Sequence, residues 1–256
     1  MELKDLFEKA EEVFGKEPRL ILLPSKGKVV FVGDTHGDLE AVEKVIQRYL
    51  KKPYRIVFLG DYVDRGKYSE ENIRYLLRCK LEHPEEVFLL AGNHEGFMVK
   101  EFYPANFWTS LSLGEREEYG RLFSKFPVAV TTQNGMLALH GALPDVKALE
   151  DLNRVELGDE HWERVVWGDF LESGTDYAGE LWGRPQFGRE YFGRLMERYQ
   201  KEVLVRSHQP GAPLVMFDKR CITIFTSSVY LPIRTIAIAD LEKDVRSSDD
   251  VVLEKI

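Results

Sequence analysis

Cysteine is scarce: Cys79 and Cys221 are the only two in 256 residues, far apart and without CxxC spacing. A disulfide framework and a zinc-thiolate site are therefore excluded, and a reducing compartment is the simplest setting. Net positive charge is also missing. At a formal net charge of −8, the chain has no general attraction for nucleic acid or an anionic membrane surface. Any chemistry on phosphate then requires positive charge concentrated at one place. No apolar run approaches the roughly 18 to 20 residues that cross a bilayer. The opening stretch from Met1 to Gly15 sets Leu3, Leu6, Phe7, Ala10, Val13 and Phe14 at helical spacing among acidic residues, which reads as an amphipathic helix rather than a signal peptide. A cytoplasmic protein is expected.

What is present is a large apolar fraction, 44% of residues, enough to bury a core without disulfides. One domain over residues 1–256 is expected, with 1–27 as an N-terminal helix and lead-in. From Lys28, short β-rich runs alternate with helical patterns. Val29–Val32, Arg55–Leu59 and Val87–Leu90 read as strands, and Leu39–Leu50 and Ser69–Glu82 as helices, with Asp38 capping the first. That βαβαβ order implies neighbouring parallel strands, with ligands gathered at their carboxyl ends.

Further along, a helix over Glu115–Lys125 precedes strands at Val128–Thr131 and Met136–Leu139, joined as a hairpin through Asn134-Gly135. Leu149–Gly188 reads as short helices and long loops, and Arg189–Gln200 as a helix. Strand-like runs follow at Val203–Val205, Leu214–Phe217, Ile222–Phe225 and Ile233–Ile238. The fold class is α/β (α+β): two packed sheets with helices outside, parallel in the first half and mostly antiparallel in the second.

The chemical signal lies just after the strands. The successive strand ends run into Gly33-Asp34-Thr35-His36-Gly37, Gly60-Asp61-Tyr62-Val63-Asp64-Arg65-Gly66, Gly92-Asn93-His94-Glu95, His140-Gly141 and Arg206-Ser207-His208. Two divalent ions sharing one hydroxide are a recurrent device for hydrolysing phosphate esters. Asp34 and His36, at i and i+2, would point the same way from extended backbone and grip one ion. Asp61 could bridge, and Asn93, His140 and His208 could complete the shell of a second. Oxygen and nitrogen donors without thiolate suit manganese, iron or zinc. Gly-Asp alone is a weak signal, since Gly158-Asp159 and Gly168-Asp169 also occur and read as turns. His83 and His161 lack such company and read as surface or structural residues.

GDTHGD, GDYVDRG and GNHE, followed by LHGALP and VRSHQP, resemble the signature blocks of the phosphoprotein phosphatase (PPP) family of metallophosphatases. The resemblance extends from Lys28 to about Tyr230. It implies the calcineurin-like metallophosphoesterase fold, a central β-sandwich flanked by helices, and two divalent metals, with manganese the best fit. By that resemblance Asp34 and His36 hold the first metal, Asp61 bridges, and Asn93, His140 and His208 hold the second. His94 is the general acid, oriented and kept protonated by Asp64. Arg65, Arg184, Asn93 and Tyr230 would contact substrate phosphate. The implied substrate is a phosphorylated protein or peptide, attacked in line by the bridging hydroxide, with no regulatory subunit indicated. Hydrolysis of symmetrical diadenosine tetraphosphate or another nucleotide phosphoester is the alternative, and a non-catalytic phosphoprotein-binding scaffold a distant one. Asp64 favours the first. Phe97, Phe102, Tyr103, Phe107 and Trp108 could border a substrate groove, though core packing accounts for such a run as well.

Overall fold

The computed structural model describes residues 2–256. Helix α1 (Leu3–Phe14) buries Leu6, Phe7, Ala10 and Phe14, the stripe expected from its spacing, while Met1 lies outside the described residues. A short strand that the sequence reading missed, β1 (Leu20–Leu22), precedes the expected alternation: β2 (Lys28–Val32), α2 (Leu39–Tyr49), β3 (Tyr54–Phe58), α3 (Ser69–Glu82) and β4 (Val87–Leu89). Asp38 does cap α2, its carboxylate accepting from Ala41 N. A one-turn helix α4 (Asn106–Ser110) leads to α5 (Leu113–Phe123), which starts at a Ser112/Glu115 capping box. The hairpin β5 (Ala129–Thr131) and β6 (Met136–Leu139) follows.

The stretch expected to be irregular is better ordered than its composition suggests. After a 3-10 turn at Leu149–Arg154 come α6 (Glu160–Trp167), β7 (Asp169–Phe170), β8 (Tyr177–Leu181) and β9 (Arg184–Phe187), the three strands forming a small sheet of their own. Trp182 and Gly183, both at positive φ, make the tight turn between β8 and β9. Sparse apolar alternation hid these strands, because β8 is largely exposed. Helix α7 (Arg189–Arg198) and strands β10 (Val203–Arg206), β11 (Val215–Met216), β12 (Cys221–Thr223), β13 (Thr235–Asp240) and β14 (Val252–Lys255) complete the chain.

Two larger sheets stack face to face. One has the order β14-β13-β2-β3-β4 and the other β1-β5-β6-β10-β12-β11. Alternation along the strands sends Val29, Phe31, Val57 and Leu59 inward against Val130, Ala138, Val205 and Ile222 of the opposite sheet. Val30, Val32, Ile56 and Phe58 face outward under α1, α2, α3 and α5, while Leu137, Leu139 and Leu204 are covered by α6 and α7. The second half is mostly antiparallel, as expected, through the pairs β5–β6, β8–β9, β11–β12 and β13–β14, with one parallel group inside it. Strands β6, β10 and β12 run parallel to one another, because α7 and the β11 loop provide the crossovers. Both sheets therefore present carboxyl ends at the same rim.

Candidate functional site

At that rim the loops brace one another through buried hydrogen bonds. Thr35 N and His36 N both donate to the carbonyl of Asp61, at 3.1 and 2.8 Å. Across the sandwich, Ser207 Oγ accepts from Asp34 N at 2.8 Å and donates to Ile224 O at 2.6 Å. His36, Asp61, Asp64, Arg65 and His208 all adopt positive φ, a concentration of strained backbone that is sustained only where the surroundings dictate it. With His36 at φ 44, Asp34 and His36 are brought together by a turn and not, as expected, by a shared face of extended strand. Gly92 has no room for a side chain, since a Cβ there would meet Asp61 Oδ1 and N.

All six expected donors converge in one buried hollow. His140 Nδ1 hydrogen-bonds the carbonyl of Leu59 at 2.9 Å, which makes it the protonated nitrogen and leaves a lone pair on Nε2. That lone pair faces Asn93 Oδ1 at 3.2 Å, Asp61 Oδ2 at 3.4 Å and His208 Nδ1 at 3.1 Å. His36 repeats the pattern: Nδ1 donates to Val63 O at 2.8 Å, and Nε2 faces Asp34 Oδ2 at 3.5 Å and Asp61 Oδ2 at 3.6 Å. The lone pairs of His140 Nε2 and His36 Nε2 thus meet carboxylate and amide oxygens out of water, an arrangement that calls for a cation. Among the described residues the histidine and carboxylate donors form two groups that share Asp61, one with His36 and His94 and the other with His140 and His208, and their chemistry suits two divalent ions.

The protein's own charges show the same demand for added positive charge. Burial would lower the His36 imidazolium, but its hydrogen bond with Asp34 and the charges of Asp61 and Asp34 push it up to about 9. Burial works against ionised Asp61, yet the imidazoles of His140, His94 and His36 hold its carboxyl well below the usual range.

His94 bonds Asp64 as expected, Nδ1 to Oδ2 at 2.7 Å, and Asp64 is itself fixed by Phe107 N at 2.7 Å. The expected protonation near neutral pH does not follow from the chain alone. Burial pulls the His94 imidazolium down by more than Asp61 and Asp64 return. His94 Nε2 stands 3.9 Å from Asp61 Oδ2.

A cleft of about 330 Å³ opens above the hollow. Arg65, Asn93, Arg184 and Tyr230 all line it, together with Phe102, Tyr103, Trp167 and Trp182, whereas Phe97, Phe107 and Trp108 are core. Tyr230 OH accepts from Arg65 Nε at 2.7 Å. Arg184 donates through Nε to His208 Nε2 at 3.1 Å and through Nη2 to the His208 carbonyl at 2.9 Å. Two acidic residues escaped the sequence reading. Gly168-Asp169 is no simple turn: Asp169 opens β7 and is only 5% exposed, with Oδ1 3.3 Å from Arg184 Nη2. Glu95 is buried and accepts the backbone N–H groups of Asp61, Tyr62 and Gly92. The adjacency of Glu95 to His94 was the available signal; Asp169 had none beyond its Gly-Asp pair.

Comparison with known proteins bears on the family and the fold. The family model described as calcineurin-like phosphoesterase matches residues 27–212. A probable serine/threonine-protein phosphatase of Encephalitozoon cuniculi (strain GB-M1) is 31% identical over 247 residues, covering 89% of this chain and 53% of that protein. The chain thus spans about half the length of this curated relative. Among solved structures, a protein serine/threonine phosphatase from Saccharomyces cerevisiae with similarity to human phosphatase PP5 superposes with a TM-score of 0.84 at 21% identity, over 98% of this chain and 88% of that one. A cold-active protein-tyrosine phosphatase of a psychrophile Shewanella sp. superposes with a TM-score of 0.61 at 16% identity, over 95% and 84%. These likenesses establish the fold. Among the described residues, no helix is long and apolar enough to cross a membrane.

Proposed function

The chain belongs to the calcineurin-like phosphoesterase family, and from that premise we propose that it hydrolyses phosphoserine and phosphothreonine esters on proteins, as a single catalytic domain working in the cytoplasm. The observation that carries the reading is the Asp64–His94 pair, set beside a buried donor cluster and beneath a cleft that Arg65 and Arg184 flank. The probable serine/threonine-protein phosphatase relative supports the choice of substrate.

Asp34 and His36 would hold one ion and Asn93, His140 and His208 the other, with Asp61 common to both. Manganese is proposed, iron or zinc being compatible with the same donors. Two such ions, when bound, supply an activated water and offset charge on the phosphate.

The chain's own residues do the rest. Arg65 meets phosphate oxygens with its planar fork, oriented by Tyr230, and Arg184, which lines the same cleft, offers a second guanidinium. With Nδ1 tied to Asp64, His94 Nε2 donates its proton to the leaving alkoxide of the serine or threonine. The phosphate dianion supplies negative charge beside His94, which favours the imidazolium that burial alone disfavours. Asn93, which also lines the cleft, can donate through its amide nitrogen to a phosphate oxygen.

The test strips the protein of metal, restores manganese, and assays a phosphoserine/phosphothreonine peptide in parallel with diadenosine tetraphosphate. Peptide turnover is expected, with His94→Asn losing about 10²- to 10⁴-fold in kcat while keeping its metal content. Cleavage of the dinucleotide with an inert peptide would transfer the assignment to a nucleotide hydrolase. Silence on both with metal bound would leave a phosphoprotein-binding scaffold.

A further inference from the structure

His208 shows its two ring nitrogens to different neighbours. Nδ1 faces the donor hollow, 3.1 Å from His140 Nε2. Nε2 faces outward to Arg184, whose Nε lies at 3.1 Å, and to Asp169, whose Oδ1 lies at 3.7 Å. Resting on the assignment of His208 to the second ion, we infer that Asp169 is the positioning residue for His208 and that it takes the outer nitrogen from Arg184 when metal binds.

A guanidinium can only donate, so in the structure Nε2 must accept. An ion held through Nδ1 uses that nitrogen's lone pair, and the neutral ring then carries its hydrogen on Nε2. Nε2–H and the guanidinium N–H groups cannot share a hydrogen bond. The remaining acceptor is at hand: Asp169 Oδ1 is buried, ion-paired with Arg184 Nη2 at 3.3 Å without accepting a hydrogen bond, and sits beside that nitrogen. A buried carboxylate oxygen without a hydrogen bond is a costly arrangement that a donor at His208 relieves.

Asp169 is held in place for this role. The fully buried Arg206 donates to Gly141 O, Gly168 O and Gln209 Oε1 at 2.7, 3.1 and 2.8 Å, and Gln209 Nε2 bonds Phe170 O at 3.0 Å. The residues on both sides of Asp169 are thus tied to the His140 and His208 loops. Released from His208, Arg184 has the cleft it already lines as its outlet. Metal occupancy and phosphate affinity become linked: the ion that claims His208 also frees a phosphate-binding arginine.

Calorimetric titration of Mn²⁺ into the metal-stripped chain reads the consequence directly. The wild type should take up two ions. Asp169→Ala should weaken one binding step about 10- to 100-fold and leave the other unchanged, and Asp169→Asn, whose amide oxygen still accepts, should recover part of the loss. Arg184→Ala should have the opposite sign and tighten the same step, because it removes a competing donor and a positive charge. In the Zn²⁺-loaded protein, ¹⁵N spectra should place the His208 proton on Nε2. Unchanged binding in both Asp169 variants, or an Arg184→Ala loss as large as that of Asp169→Ala, would overturn the inference. A wild type that binds fewer than two ions would instead sink the underlying assignment of the donors.

Discussion

The carboxylate of Glu95 accepts the backbone N–H of Asp61 at 2.8 Å, so a residue that does not line the cleft fixes the one carboxylate common to both donor groups. Glu95 Oε2 also takes Gly92 N at 2.9 Å, and Oε1 takes Tyr62 N at 2.9 Å. The clamp explains how Asp61 keeps a backbone at φ 56, a conformation non-glycine residues avoid.

Glu95→Gln replaces one of the accepting oxygens with an amide that can only donate. At least one buried backbone N–H then loses its partner, at a cost of about 1–3 kcal/mol. Urea unfolding should show that loss, and Asp61 should hold metal less firmly. An unfolding midpoint equal to that of the wild type would remove Glu95 from this role.

Arg65 and Tyr230 form the second testable pair. Hydrogen bonds to charged groups contribute about 1.5–3 kcal/mol, so Arg65→Ala should lower kcat/KM by roughly 10- to 100-fold, mainly through KM. Arg65→Lys should restore little, because a point charge does not reproduce the planar fork. Tyr230→Phe removes the hydroxyl at Arg65 Nε and should produce a smaller rise in KM with kcat preserved. Steady-state kinetics on a phosphopeptide settles both. A kcat defect without a KM change would move Arg65 from binding into the chemical step.

The donor cluster was legible because every one of its members follows an apolar run and keeps company with glycine or, at His208, the small residue Ser207. Asp34, Asp61, Asn93, His140 and His208 needed only their strands located, and the strands betrayed themselves by β-branched runs. What stayed hidden depended on long-range packing. Asp169 lies in a Gly-Asp pair identical in appearance to Gly158-Asp159, yet the latter makes only local bonds, accepting from Glu156 N in its turn and from Trp162 N as the cap of α6. Nothing local distinguishes them; β9 and Arg184, brought alongside β7, do. The direction of β10 and β12 was likewise invisible, since apolar alternation reports burial and not the sense in which a strand runs. His94 makes the same point in electrostatics: its partner could be foreseen from Asp64, but the weight of burial against it could not.

Away from the cleft, Lys80 offers a test of how the helical layer is held. Its ammonium is fully buried between α3 and the segment after α1, paired with Glu17 and bonded to Pro84 O at 2.8 Å. Burial pushes the Glu17 carboxyl up from its ordinary 4.5, Lys80 opposing, and pulls Lys80 down from its ordinary 10.5, Glu17 opposing. Removing one partner strands a charge, so Lys80→Ala should cost about 3–5 kcal/mol. Replacing both, as Lys80→Met with Glu17→Leu, should be neutral or stabilising by up to about 4 kcal/mol. The pH dependence has a definite sign. A raised carboxyl contributes stability below 4.5 that is lost as pH rises through its folded value, and a lowered ammonium contributes stability above 10.5 that is lost as pH falls through its own. Both penalties therefore operate near neutral pH, and the advantage of the double variant over the wild type should peak there and shrink toward either limit. Denaturant melts of the two proteins across that range measure the difference, and a flat or inverted profile would show that the pair is a net source of stability.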